Sequence, residues 1–149
     1  MNEPICNVPI ESVKVKMAMD RETVIANIRR NLGRPHRRLE DQLEMREIAP
    51  IALVGGGPSL KETAGELWRY RNIMACGSVH DYLVGLGIRP RWTIISDPDP
   101  LMAQYLKNPV HGTRYLIASH CDQKIFDALD GYDVVVWNCG EAENDPEIW

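Results

Sequence analysis

Three glycines, a proline and a serine, Gly55-Gly56-Gly57-Pro58-Ser59, stand directly after the apolar run Ile51-Ala52-Leu53-Val54. Without Cβ atoms, the glycines let backbone N–H groups approach a ligand closely, and a helix starting behind them favours an anion such as phosphate. Ser59 is placed either to cap that helix or to donate to a phosphate oxygen. The loop is not a Walker A motif, because no Gly-Lys-Ser/Thr follows it. It is a poor dinucleotide fingerprint, because Leu60 stands where a third small residue belongs. No acid ends the next strand, where Cys76-Gly77 stands instead. A tight strand-to-helix turn that binds nothing is the competing reading.

A second cluster is Ser96-Asp97-Pro98-Asp99-Pro100. Two carboxylates two residues apart at a strand end are a candidate Mg²⁺ site, Asp97 and Asp99 bridging the metal to the phosphates of ATP or another nucleotide. Asp99-Pro100 also reads as an N-cap followed by proline at the first helical position. Gly77, Ser78 and Ser96 join the candidate phosphate contacts. Ser119, His120 and Asn138 are candidates for the edge of the site, and no residue is singled out as catalytic. A zinc cluster of Cys76, His80, His120 and Cys121, and a Ser59–His80–Asp97 triad, rest on residue type alone. Trp68, Trp92 and Trp137 fall in predicted elements and read as core.

These residues share a position because of the elements that carry them. Continuous apolar runs at Ile51–Val54, Ile73–Cys76, Trp92–Ile95, Tyr115–Ala118 and Val134–Trp137 read as strands buried on both faces. Helix-compatible segments at about 60–70, 79–86, 100–107 and 122–130 separate them. This alternation predicts an α/β, Rossmann-like three-layer domain over residues 49–149 with a mainly parallel sheet of about five strands. Ligands in such sheets bind beyond the carboxyl ends of the strands, where every candidate above lies. The domain reads as incomplete at its C-terminal end.

Residues 1–48 read as an arm and a helical extension. Val8, Ile10, Val13 and Val15 suggest a short strand or an arm on a partner. Asp20 reads as an N-cap, Val24, Ile25, Ile28 and Leu32 keep helical spacing, and Gly33 is a stop signal. A second, charged helix with Leu39, Leu43 and Met45 is predicted to end before Pro50. Five arginines lie between positions 29 and 38, a solvated surface or a patch for phosphates or an acidic partner.

The 149 residues suffice for one compact domain, and 44% hydrophobic content excludes wholesale disorder. A formal charge of −4 argues against nucleic acid as the partner. No apolar stretch approaches the roughly 18 residues of a membrane span. The N-terminus lacks a signal-peptide pattern, so a cytoplasmic protein without a membrane partner is expected. The four cysteines show no framework spacing and read as free thiols. A homo-oligomer is left open.

The segment from Pro50 to Leu60, with Leu86-Gly87-Ile88-Arg89-Pro90, the following strand and Ser96-Asp97-Pro98, resembles the DUF115 family. These are the 6-hydroxymethylpterin diphosphokinase MptE-like proteins, which also include motility accessory factors. A similar glycine loop occurs in certain bacterial sialyltransferases that use a CMP-sugar. The likeness spans about residues 49–139. It implies a nucleotide at the glycine loop and Mg²⁺-dependent transfer of diphosphate from ATP to a hydroxymethyl acceptor. By that likeness Gly55, Gly57, Pro58 and Ser59 cradle phosphates, and Asp97 contacts metal or ribose. A sugar-nucleotide-dependent glycosyltransferase, or a non-catalytic binding module that keeps the fold, are the alternatives.

Overall fold

The structure, a computed structural model, describes residues 19–42 and 49–138. The candidate arm at Val8–Val15, the Leu43 and Met45 part of the second predicted helix, Cys6, Cys139 and the last residues lie outside the described residues.

The fold is an α/β, Rossmann-like arrangement: one parallel sheet of six strands with flanking helices. The strands are β1 (Arg37–Arg38), β2 (Ile51–Val54), β3 (Asn72–Cys76), β4 (Trp92–Ile95), β5 (Arg114–Ala118) and β6 (Asp133–Trp137). Their order across the sheet is β1-β6-β5-β4-β3-β2, every neighbouring pair parallel. The five predicted strands are present within a residue or so, and β1 is the sixth. It pairs with β6 through Arg37↔Val135 and Arg38↔Val136. The N-terminal extension is therefore part of the sheet as well as helical. The two residues of β1 are exposed arginines and carry no apolar signal.

From β2 to β6 the chain steps in one direction across the sheet. Right-handed crossovers then carry the intervening helices to the same face. Both large core clusters match this. Ala52, Val54, Ile73 and Ala75 pack with Leu60, Leu67, Val79 and Leu83, and Ile95, Tyr115, Ile117, Val134 and Val136 pack with Leu106, Ile125, Phe126 and Leu129. Residues of alternate register face the other way, and toward the β2 edge they are open. Leu53 is 71% exposed and Ile51 39%. The expectation that Ile51–Val54 is buried on both faces fails because β2 is an edge strand with one uncovered face.

The helices are shorter than the sequence suggests. Residues 60–70 form α2 (Leu60–Thr63) continued by a 3-10 helix, Ala64–Arg69. Residues 100–105 are wholly 3-10. Trp68 is 67% exposed on the 3-10 segment rather than in the core. Helix α3 (His80–Gly85) and helix α4 (Gln123–Ala128) follow β3 and β5. No helix among the described residues is long and apolar enough to cross a membrane.

Helix α1 (Arg21–Leu32) starts at Asp20, whose carboxylate accepts from the Thr23 N–H at 2.9 Å and from its hydroxyl at 2.7 Å. Those bonds hold the Asp20 carboxyl below its usual range. Its buried polar face docks on the turn after β5. Asn31 Nδ2 donates to the carbonyls of Ser119 (2.9 Å) and Cys121 (2.8 Å), and Asn27 Nδ2 to that of His120 (3.1 Å). The basic segment behind α1 is largely paired. Arg34 meets Asp127 and lies over the Phe126 ring, and Arg37 joins Arg114 on Asp133. The residues after Leu39 begin a 3-10 turn, Glu40–Gln42.

Candidate functional site

Parallel strands deliver their carboxyl ends to one edge, and among the described residues two clefts open there. The larger, about 420 Å³, is lined by Cys76, Gly77, Ser78, Ile94, Ser96, Asp97, Met102, Tyr105 and Trp137. The smaller, about 240 Å³, lies behind the glycine loop and is lined by Gly55, Gly57 and Ser59 with Leu53, Val54, Leu60, Thr63 and Leu67. Gly56 lines neither, but it brings the glycine loop close to the larger cleft: a Cβ on it would lie 3.4 Å from Ser78 Oγ. Gly77 has φ +61°, a left-handed conformation that favours glycine and turns the chain sharply out of β3.

Gly55 to Ser59, Pro58 included, is exposed throughout. Ser59 makes no side-chain cap bond to α2, so its hydroxyl is not spent on the helix. The Leu60 N–H already bonds the Gly57 carbonyl at 3.1 Å. Because α2 is a single turn, its dipole is small, and anion binding here falls to the loop's own N–H groups.

Asp97 and Asp99 are both engaged as turn formers. Asp97 Oδ1 accepts from the Asp99 N–H at 2.9 Å, and Asp99 Oδ1 from the Leu101 N–H at 2.8 Å. Asp99 with Pro100 is thus the N-cap the sequence allowed for, and only Asp97 lines the cleft. Among the described residues no group of three or more His, Cys, Asp or Glu is arranged to hold a metal. A divalent cation therefore has Asp97 Oδ2 to bind, and would draw its remaining ligands from phosphates and water, as Mg²⁺ commonly does.

The other predicted edge residues divide. His120 Nε2 bonds the Ser96 carbonyl and ties the ends of β4 and β5 together. Ser119 is 2% exposed and its carbonyl is taken by Asn31, so it lines neither cleft. Asn138 donates to Glu40 at 3.1 Å, linking the end of β6 to the N-terminal segment.

His80 is fully buried, which removes it from both the zinc and the triad readings. Its Nε2 contacts the Asn108 carbonyl at 3.3 Å and must donate there, so Nδ1 accepts from Thr93 Oγ1 at 3.0 Å. Burial lowers its pKa, against the opposing pull of the Asn108 carbonyl and Asp81. Tyr115 packs edge-on to it, and burial pushes that phenol up to about 12. This is a buried structural network.

Sequence reasoning did not place Met102, Tyr105 and Trp137 in the site. Trp137 ends β6, and its position at a strand's carboxyl end was the available signal. Cys76 is half-buried at the cleft, and burial raises its thiol pKa. Cys121 is buried, its thiol directed at the carbonyls of Ile95 and Asp97.

No protein-family model matches the chain, and no curated protein does. Among solved structures, the chain is similar to the MAf glycosyltransferase from Magnetospirillum magneticum AMB-1, at 15% identity and a TM-score of 0.55. The match covers 78% of this chain and 19% of that one, so the chain spans about a fifth of the protein it resembles. At that identity the likeness establishes a shared fold, the parallel Rossmann-like sheet described above.

Proposed function

We propose that this chain is the nucleotide-binding part of a transferase whose donor is a sugar nucleotide. The carrying observation is the 420 Å³ cleft at the carboxyl ends of the strands, where aromatic and hydroxyl-bearing side chains converge beside the glycine loop. Tyr105 and Trp137 bring aromatic rings to the cleft for a base, Ser78 and Ser96 bring hydroxyls for phosphate or sugar, and the Gly55–Gly57 backbone has N–H groups beside it. The structural neighbour is named a glycosyltransferase, which supports the same reading. Transfer of an activated group relies on positioning and charge neutralisation more than on covalent chemistry, so a site built from backbone donors suits it.

Diphosphate transfer from ATP to a hydroxymethyl acceptor is the second reading, favoured by the Asp97 carboxylate on the cleft. Mg²⁺ held by Asp97 would neutralise phosphate charge. The test is a thermal-shift panel of CMP, UDP, CTP and ATP, each with and without Mg²⁺. A ligand at 100 times its Kd adds about 2.7 kcal/mol to the folded state, a rise on the order of several degrees. A CMP or UDP response lost in Gly57→Asp supports sugar transfer. An ATP response that requires Mg²⁺ and is lost in Asp97→Ala supports diphosphate transfer. No response to any nucleotide leaves a non-catalytic module.

A further inference from the structure

The opposite end of the sheet carries a cleft of another character. Three of its six lining residues are arginine and none is acidic: Arg71, Asn72, Arg89, Pro90, Arg91 and Gly112, around about 280 Å³. They come from the segments that enter β3, β4 and β5, so the parallel topology gathers them at the amino ends of the strands, a sheet's length from the glycine loop.

Asn72 is the informative residue. It is 1% exposed, and its Oδ1 accepts from Arg91 Nη1 at 2.7 Å. That bond fixes the amide so that Nδ2 is the other end, and Nδ2 is buried with no acceptor. A buried donor left without an acceptor is costly, and few survive in folded proteins. The Arg91 guanidinium is also stacked 4.5 Å from the Trp92 ring centroid, which holds its plane. Arg89 lies against Gly112, where a Cβ would be 3.7 Å from Nη1. Gly112 has φ +88°, so a larger residue there would be strained as well as close to the guanidinium. Among the described residues Arg71 and Arg89 form no ion pair with a carboxylate. This local concentration of positive charge sits in a chain of net charge −4, so it does not follow from overall composition.

We infer that this cleft binds a compact phosphate-bearing anion, with Arg71 and Arg89 as the charged arms, Arg91 as the pre-set fork and Asn72 Nδ2 as the buried donor. Guanidinium groups present paired N–H donors that match phosphate oxygens, and a clustered set of them suits a dianion. The cleft is large enough for a phosphate with a small attached group. This site is independent of the nucleotide reading above, since it shares no lining residue with either cleft at the other end.

The test is calorimetric titration of the full chain with inorganic phosphate, pyrophosphate and ribose 5-phosphate at fixed ionic strength in chloride. Arg71 and Arg89, the two of the three arginines that leave the Asn72 amide untouched, are replaced together, Arg71→Gln with Arg89→Gln. Asn72→Asp keeps an acceptor for Arg91 while placing a negative charge in the cleft, and Gly57→Asp disables the distant glycine loop. Saturable binding that weakens at least tenfold in the arginine double variant, disappears in Asn72→Asp and persists in Gly57→Asp is the expected result. Which probe binds tightest separates free phosphate from a phosphate monoester. Absence of saturable binding overturns the inference. So does loss in Gly57→Asp with retention in the arginine variant, equal binding of citrate, or a single-stranded RNA oligonucleotide that binds far more tightly than any of the probes.

Discussion

The side-chain amide of Asn31 on α1 donates to the carbonyl of Ser119 at the end of β5, 2.9 Å away and 88 residues along the chain. The same Nδ2 reaches Cys121, so one buried residue satisfies two carbonyls of the turn that carries His120. Asn31→Ala removes both bonds and leaves two carbonyls without that donor. We expect a loss of about 2–3 kcal/mol in urea unfolding. A change below about 0.5 kcal/mol would show that α1 is only loosely attached.

Asp133 receives Arg37 from the N-terminal extension and Arg114 from β5. Burial alone would raise its pKa, but the two arginine hydrogen bonds and their charges more than offset that and lower it. A carboxyl depressed in the folded state stabilises above its unfolded pKa of about 3.9 and loses that contribution as pH falls through the folded value. Asp133→Asn should therefore flatten the acid limb of the stability profile below about pH 4 while lowering stability at pH 7. An unchanged acid limb would contradict the pairing.

His80 works in the opposite sense. Its folded pKa lies below the unfolded value of about 6.5, so the unfolded chain takes up its proton first. Stability should fall as pH drops below about 6.5, and stop falling once the folded ring is also protonated. Thr93, Tyr115, Asp81 and the Asn108 carbonyl face the ring, and of these the Asn108 carbonyl and Asp81 favour its charged form. His80→Gln should reduce the slope between pH 7 and 5, measured by denaturant midpoints. A slope equal to that of the unsubstituted chain would assign the effect elsewhere.

The strands were readable because a continuous apolar run has few alternatives in a parallel sheet. Ile73–Cys76 and Val134–Trp137 are covered closely enough to need it, with Ala75 and Val135 fully buried. That rule fails at an edge, and Leu53 shows it. Strand β1 was not readable, because Arg37 and Arg38 pair through backbone and their exposed side chains reach Asp133 and the Leu32 carbonyl rather than a core. Composition also does not separate α from 3-10 winding, which is why residues 60–70 shorten to one α turn. In the site, strand-end residues such as Gly77, Ser96 and Asp97 were visible from topology. Met102 and Tyr105 were not, because they enter from a neighbouring helix whose angle no local pattern encodes.

Leu53 also yields a direct prediction. Being 71% exposed on an edge strand, it contributes little to folding. Leu53→Lys should change stability by less than about 0.5 kcal/mol and reduce self-association in sedimentation, because charge on an edge opposes strand pairing. A loss of several kcal/mol would mean that the face is covered in solution.

Cys76 reports on the cleft. Its raised thiol pKa and half-burial predict slow modification by iodoacetamide at pH 7, faster above pH 9. A nucleotide in the cleft should protect it, seen by mass spectrometry. Equal rates with and without a nucleotide that raises the melting temperature would place that ligand elsewhere.

The placement of β1 beside β6 puts a deadline on assembly during synthesis. Arg37 leaves the ribosome 96 residues before Asp133, the residue it pairs with. At about 5–20 residues per second, the early segment waits on the order of 5 to 20 s for its neighbour. For most of that interval α1 lacks the β5 turn, and for all of it β1 lacks β6, the last of the six described strands to be made. Shortening the chain before β6 and deleting residues 19–38 should therefore produce one common defect, an unfinished sheet margin, although the two cuts lie at opposite ends of the described chain.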